Sequence, residues 1–384
     1  MKKRFLMTPG PTQIPPEVLL ASARPIIHHR TAEYSELFAR VNEGLKYVFQ
    51  TKNPVFSFAS SGTGAMESAV VNLCSPGDRV LVCSSGKFGE RWQQLADTYG
   101  LEARVLDYPY GSPVEPDDIA AALAEDAAVR VVFITHSETS TGVVNDTEAI
   151  GAIVADTDAV LVADAVSGMG SAELKTDAWR VDVAVAGSQK ALMLPPGLAF
   201  ASVSDKAWAL VEQSTMPRYY FDWRKARAGL EQAKPTTAFT PAVSLTVALD
   251  EALAMIREEG LENLFRRHRT MARAAREAVK AMGLELFSPD DELCSSVTAV
   301  KVPEGVEDAE LRKLMLDRYG VQLAGGQGTM KGEIVRIGHC GYYNYSDIIV
   351  TITAMELALK ALGHAIEPGS GVTRAEQVFA EEAS

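Results

Sequence analysis

The chain has 384 residues, room for one large and one small domain, and its 47% hydrophobic and 23% charged content is that of an ordinary globular protein. With 37 basic and 50 acidic residues the formal net charge is −13, which argues against nucleic acid or an anionic membrane as the main partner. The opening "MKKRFLMTPGP" is too poor in apolar residues for a signal core, and no apolar run is long enough to cross a bilayer. Cys74, Cys83, Cys294 and Cys340 lack metal-ligand spacing, so a cytoplasmic, reducing setting without a metal site is expected. His28 and His29 are adjacent, and on regular structure they would point apart.

From Thr31 to Gln50, Leu37, Phe38, Val41, Leu45, Val48 and Phe49 share one helical stripe, and Thr31 is placed to cap it. Next, "SSGTGAMESAVVNL" (60–73) passes from a Ser/Gly/Thr turn into a helical pattern. Free amides and hydroxyls there meet the positive end of a helix, an anion site suited to phosphate. Apolar runs at 78–84, 129–136, 159–167, 182–188 and 198–204 read as strands. The first four are nearly continuous, as in strands buried on both faces. Helical patterns at 116–125 and 147–155 lie between them, so an α/β layer fold with a mainly parallel sheet is expected. A long helical stretch at about 241–282 leads to strands at 296–303, 321–326 and 334–339 and a helix at 347–362, which reads as a smaller α+β domain. The expected division is an N-terminal segment 1–20, a large domain 21–255, a small domain 256–363 and a polar tail 364–384, the tail being a short helix or disordered.

In open parallel sheets ligands bind beyond the carboxyl ends of the strands, so the residues just past each strand carry the most information. Lys190 stands in "VAGSQKALMLPPG" (185–197), between a small-residue turn and a run of Leu, Met and Pro. Alone it is an ordinary loop lysine; desolvated, its neutral amine is a nucleophile toward carbonyl carbon. Asp164 closes the apolar run 159–164, where an acid is costly unless paired or hydrogen-bonded. "SETSTG" (137–142) puts Ser137, Thr139, Ser140 and Thr141 at the same edge. A dinucleotide fingerprint from Gly62 fails at Glu67, and a P-loop fails because Gly86-Lys87 is followed by Phe88. A phosphate cradle, a buried acid, a lysine of suppressed charge and an aromatic ring at Phe88 together fit pyridoxal 5′-phosphate.

"MTPGPT", "THSETSTG", "ADAVSGMG" and "GSQKALMLPPG" resemble, in order and spacing, the class V aminotransferases of fold type I, including alanine– and serine–glyoxylate aminotransferases. The resemblance runs from residue 7 to about Gly363 and implies the PLP-dependent transferase fold with a homodimer sharing two active sites. By resemblance, Lys190 joins the cofactor aldehyde and serves as general base, and Asp164 partners the ring nitrogen. Phe88 takes the place of the stacking aromatic, and Val166 faces the ring from the other side. Ser61, Gly62, Thr63 and Gln189 match phosphate-binding positions, and Thr139 a cofactor-contacting hydroxyl. The segment matching "PTTAFTPAVS" reaches the second subunit's phosphate, which makes Thr237 and Thr240 candidates. Arg336 matches the arginine that holds the substrate α-carboxylate, and Gly10 would let the N-terminal segment approach the substrate.

The resemblance implies a ping-pong transamination from alanine, serine or aspartate to glyoxylate or pyruvate. A similar His-Arg pair serves a distal anion across the dimer in phosphoserine aminotransferases, so His29 and Arg30 are candidates for admitting an acidic substrate such as aspartate. The alternative for Arg30 is a pair with Glu33 or Glu36 on its own helix. A lyase of the cysteine desulfurase type is disfavoured, because "AGGQGTMKG" lacks the loop cysteine and Phe88 replaces a stacking histidine. Some relatives are described as subunits accompanying a soluble hydrogenase, a non-catalytic role that the presence of Lys190, Asp164 and Arg336 does not favour.

Overall fold

Alternate residues of the continuous apolar runs turn to opposite faces of one sheet, and both faces are covered. The computed structural model of the chain, which describes residues 3–289, 293 and 296–382, builds that sheet from seven strands; Cys294 lies outside the described residues. They are β1 (Val55–Ser60), β2 (Arg79–Ser84), β3 (Glu102–Asp107), β4 (Val131–Thr135), β5 (Val160–Asp164), β6 (Val183–Gly187) and β7 (Gly197–Val203). Their spatial order is β1-β7-β6-β5-β4-β2-β3, and β7 runs antiparallel to both neighbours while the others are mutually parallel. Leu81, Val132, Leu161 and Ala184 enter the core on one face, and Val80, Val131, Val160 and Val183 the core on the other. Each fully buried Val or Leu contributes about 1.5–3 kcal/mol over exposure, which favours helices on both sides of such strands.

β1 and β3 are strands that the continuous-run criterion passed over. Both lie at sheet edges, and β3 alternates exposed and half-buried residues along "EARVLD". The helix expected after Thr31 spans Ala32–Phe49, capped by Thr31 Oγ1, which accepts from the Tyr34 amide at 3.3 Å. The expected long helix at 241–282 is instead two, Val243–Glu259 and Leu261–Ala281, because Gly260 adopts a left-handed φ of 79° between them. The first packs on the helices Pro16–Ser22 and Ala32–Phe49 and joins the core on one face of the large sheet, and the second joins the C-terminal core from Met271 onward.

The expected strand at 321–326 divides between two sheets. Val321–Gln322 pairs in parallel with Phe5–Leu6, whereas Ala324–Gly325 joins Ile334–Gly338, which also pairs with Val297–Lys301. From that edge the N-terminal segment crosses to the large sheet: the Gly338 amide donates to Met7 O at 2.8 Å and the Thr12 amide to Gln189 O at 3.2 Å. The polar tail folds as the helix Ser370–Glu382, burying Ala375 and Val378 and pairing Arg374 with Glu277 at 2.8 Å. No helix among the described residues is long and apolar enough to cross a membrane.

Candidate active site

The register sets Thr135 opposite Asp164 and Asp164 opposite Val185, so β4 and β5 finish together, β6 runs on to Gly187, and the turns after them converge at one edge. The turn after β6 is pinned by its own hydroxyl: Ser188 Oγ donates to Pro195 O at 2.8 Å and accepts from the Leu198 amide at 3.1 Å. Lys190 emerges from it only 8% exposed, and Nζ donates to Pro9 O at 2.9 Å. Burial pulls the amine below the usual lysine range; Cys340 opposes this, and Arg336 adds to it. Gly10 lies so close that a Cβ there would stand 2.4 Å from Lys190 Nζ. Thr12 Oγ1 holds the same turn by donating to Lys190 O at 3.0 Å.

Asp164 is 3% exposed, and its Oδ1 accepts from the Val166 amide at 2.8 Å. Burial pushes its carboxyl up to about 7, the Val166 amide opposes that, and Glu138 adds to it. Such an acid ionises readily once a cation meets it. Gly62 opens the helix Gly62–Leu73 after Ser61, which makes no side-chain cap, so the first amides of that helix have no intrahelical acceptor. A Cβ on Gly62 would lie 2.6 Å from Val166 Cγ2, and one on Gly187 would lie 3.0 Å from Gln189 Oε1 and 3.5 Å from Gly62 Cα. Gln189 Oε1 is buried there without a hydrogen-bond partner among the described residues.

Phe88 sits in the first turn of the helix Lys87–Thr98, with the Arg91 guanidinium 4.8 Å over its ring. Arg91 Nη1 also donates to Thr63 Oγ1 at 3.1 Å, tying this helix to the start of the other. Thr139 Oγ1 and Ser167 Oγ are 3.1 Å apart. Arg336, on the middle strand of the small sheet and 6% exposed, donates from Nε to Gly325 O at 2.9 Å and from Nη1 to Thr139 O at 2.7 Å. Burial draws its guanidinium down to about 10, and it has no carboxylate within hydrogen-bond reach among the described residues. A buried fork with no acid on it is suited to an incoming carboxylate.

Lys190, Asp164, Ser61, Gly62, Thr63, Phe88, Thr139, Val166, Gln189, Gly10 and Arg336 thus form one connected set. The orphan oxygen of Gln189, the uncapped helix start, the buried acid and the low-charge amine fit pyridoxal phosphate. Four other candidates gather elsewhere. Arg30 Nη1 donates to Thr236 Oγ1 and Thr237 O, both at 2.9 Å, and not to Glu33 or Glu36. Thr237 Oγ1 donates to Phe239 O at 2.6 Å, while Thr240 is exposed. His29 and His28 stack with ring centroids 4.8 Å apart, because they lie in a turn where the regular-structure expectation does not hold. No group of residues that could hold a metal occurs among the described residues. Sequence reasoning passed over Glu138, Arg91 and the Pro9 carbonyl; for Glu138 a weak signal existed, an acid three residues past the end of an apolar strand, at the edge where Asp164 ends the neighbouring one.

The family description "Aminotransferase class-V" matches residues 4–349. A Synechococcus protein described as the small subunit of a soluble hydrogenase is 45% identical, covering 98% of each chain. The L-aspartate–glyoxylate aminotransferase of Paracoccus denitrificans is 38% identical over 97% of this chain and 96% of that one. The crystal structure of the ureidoglycine–glyoxylate aminotransferase of Bacillus subtilis superposes with a TM-score of 0.95 at 29% identity, covering 99% of both chains.

Proposed function

The chain belongs to the class V aminotransferases, pyridoxal-phosphate-dependent transaminases, and on that premise we propose that it moves the amino group of a small L-amino acid to glyoxylate or pyruvate. Alanine, serine and aspartate are the donors, and aspartate is admitted by Arg30 across a cytoplasmic homodimer with shared active sites. The observation that carries the reading is Arg336, buried without a carboxylate partner among the described residues, in the connected set that holds the low-charge amine of Lys190.

Bound pyridoxal phosphate supplies an aldehyde that takes up the amino group and a ring that accepts the electron pair left at the substrate α-carbon. Ser61, Gly62, Thr63 and Gln189 hold its phosphate, Phe88 and Val166 bound its ring, and Thr139 offers a hydroxyl. Asp164 keeps the ring nitrogen protonated, for which its burial and the lack of a lysine or arginine ion pair among the described residues leave it available. Arg336 grips the α-carboxylate bidentately and so fixes which bond at the α-carbon faces Lys190. Lys190 Nζ, uncharged, takes the proton from that carbon. The second carboxylate of aspartate needs a second cation. Arg30 is exposed and is tied to the 236–237 backbone and hydroxyl, the segment proposed to reach the second subunit's phosphate, so one unit presents both groups to the neighbouring site. The residues transamination needs are all present, so the hydrogenase description of the Synechococcus relative is not carried over to this chain.

The test is a visible-absorption titration of the purified, cofactor-loaded protein with alanine, serine, aspartate and glutamate, with the 2-oxo acid product quantified. The band of the lysine-bound cofactor is expected to fall stoichiometrically with aspartate as well as alanine. Arg30→Ala should lower kcat/KM at least 10-fold for aspartate and less than 3-fold for alanine, about one charge-assisted contact. No band shift with any donor refutes the transamination reading, and equal losses refute the role of Arg30.

A further inference from the structure

The helix Lys87–Thr98 that carries Phe88 begins at Gly86 and makes no side-chain cap of its own. Its first three amides are nevertheless all satisfied, from a turn about fifty residues away. The Lys87 amide donates to Ser140 Oγ at 3.0 Å, and the Phe88 and Gly89 amides donate to Glu138 Oε2 at 2.9 and 3.1 Å. The other oxygen, Oε1, accepts from the Ser140 amide at 3.0 Å and the Ser140 hydroxyl at 2.6 Å. Glu138 is completely buried, which raises its carboxyl, and its four partners, all donors, oppose that rise by favouring the carboxylate anion. An anion at a helix N-terminus is further favoured by the helix dipole. The approach leaves no slack: a Cβ on Gly86 would lie 2.5 Å from Glu138 Cγ and Cδ.

The same turn faces the other way as well. Between Glu138 and Ser140, Thr139 O accepts the Arg336 guanidinium at 2.7 Å, and the Thr139 hydroxyl meets Ser167. The Glu138 charge opposes the lowering that burial imposes on Arg336. The group placed at the cofactor ring and the group placed at the substrate carboxylate are therefore hung on three consecutive residues.

We infer that Glu138 is a positioning residue for the reaction: its buried carboxylate locks the first turn of helix 87–98, and with it Phe88, to the turn that also seats Arg336. Glu138 touches neither cofactor nor substrate; it acts through Phe88 and Thr139. This rests on the transaminase reading for its kinetic arm alone.

Glu138→Gln keeps the size but offers amide hydrogens to one of the two donor pairs, whichever way the amide turns. In the cofactor-free variant, hydrogen exchange at one of those pairs, the Phe88 and Gly89 amides or that of Ser140, should accelerate at least 10-fold while the β5 amides keep their wild-type rates. In the loaded enzyme kcat/KM should fall about 100-fold, the cost of about 1 Å of misplacement. In a Phe88→Ala background the same change should cost at least 3-fold less than in the wild-type background, the remainder being the route through Thr139 and Arg336. Should E138Q not fold, Ser140→Ala, the gentler variant, should accelerate exchange at the Lys87 amide, whose acceptor it removes, with a smaller loss of kcat/KM. Unchanged local exchange, exchange accelerated uniformly through β5, or E138Q and F88A losses that multiply would each overturn the inference. A wild-type protein with no half-reaction would instead overturn the donor reading, and the exchange measurement would still decide the role of Glu138.

Discussion

Gly10→Ala probes the contact between the N-terminal segment and Lys190. The added Cβ would stand 2.4 Å from Lys190 Nζ and 2.5 Å from its Cδ and Cε. Ordinary contact begins at 3.4 Å, so the amine must retreat by 3.4 − 2.4 = 1.0 Å or the segment must move away. The lysine side chain is the softer partner, because Thr12 fastens the segment to Gln189 O and Lys190 O at 3.2 and 3.0 Å. A displacement of about 1 Å at a reacting atom costs about 100-fold in rate, or about 2.7 kcal/mol of barrier. Gly10 also has φ +152°, and forcing an alanine into such a conformation adds about 1–3 kcal/mol of strain to the folded state. Single-turnover absorption with alanine as donor reads the first effect, and urea unfolding the second. A half-reaction within 3-fold of wild type, in a variant that binds cofactor normally, would mean that the Lys190 amine does not work at the place where Gly10 confines it.

Asp164 gives a pH signature in the cofactor-free protein. Its folded value, about 7, lies above the ordinary 3.8, so its stabilising contribution is fully present below 3.8 and is lost as pH rises through 7. The difference in unfolding free energy between wild type and Asp164→Asn should therefore slope across that window, and parallel profiles would refute the assignment. Arg336→Lys keeps the charge but loses the fork, so kcat/KM for amino acids should fall about 10- to 100-fold, one charge-assisted hydrogen bond of about 1.5–3 kcal/mol. Turnover of a simple amine without a carboxylate should change little, and an equal loss on both would place Arg336 away from the carboxylate. Thr31→Ala should cost about 1 kcal/mol in urea unfolding through the lost cap, with the alanine half-reaction unaffected.

The central strands were readable because burial on both faces leaves a local mark. Every position of "VLVAD" and "VAVAG" must be apolar or nearly so, and the exceptions, Asp164 at the end of one run and Lys190 just beyond the other, mark the functional edge. The edge strands β1 and β3 leave a weaker mark: serines interrupt the apolar run of "VFSFAS", and "EARVLD" alternates exposed and half-buried residues as many non-strand segments do. Gly260 was visible as a residue but not as a break, because a lone glycine within a helical pattern is tolerated unless it takes a left-handed φ.

By itself, then, the sequence determined the α/β layering, the strand ends on which chemistry can gather, and the presence of an amine, an acid and a guanidinium suited to a carbonyl cofactor and a carboxylate. What only the tertiary structure decided is which groups hold these three in place. Lys190 is confined by a carbonyl 181 positions away, Phe88 by a carboxylate 50 positions away, and Arg336 by a carbonyl 197 positions away. The physical reason is that periodicity and local polarity are set by neighbours along the chain, whereas burial and hydrogen-bond partners are set by where distant segments meet. Glu138, an acid among hydroxyls in the sequence, becomes the cap of another helix only when that meeting has occurred.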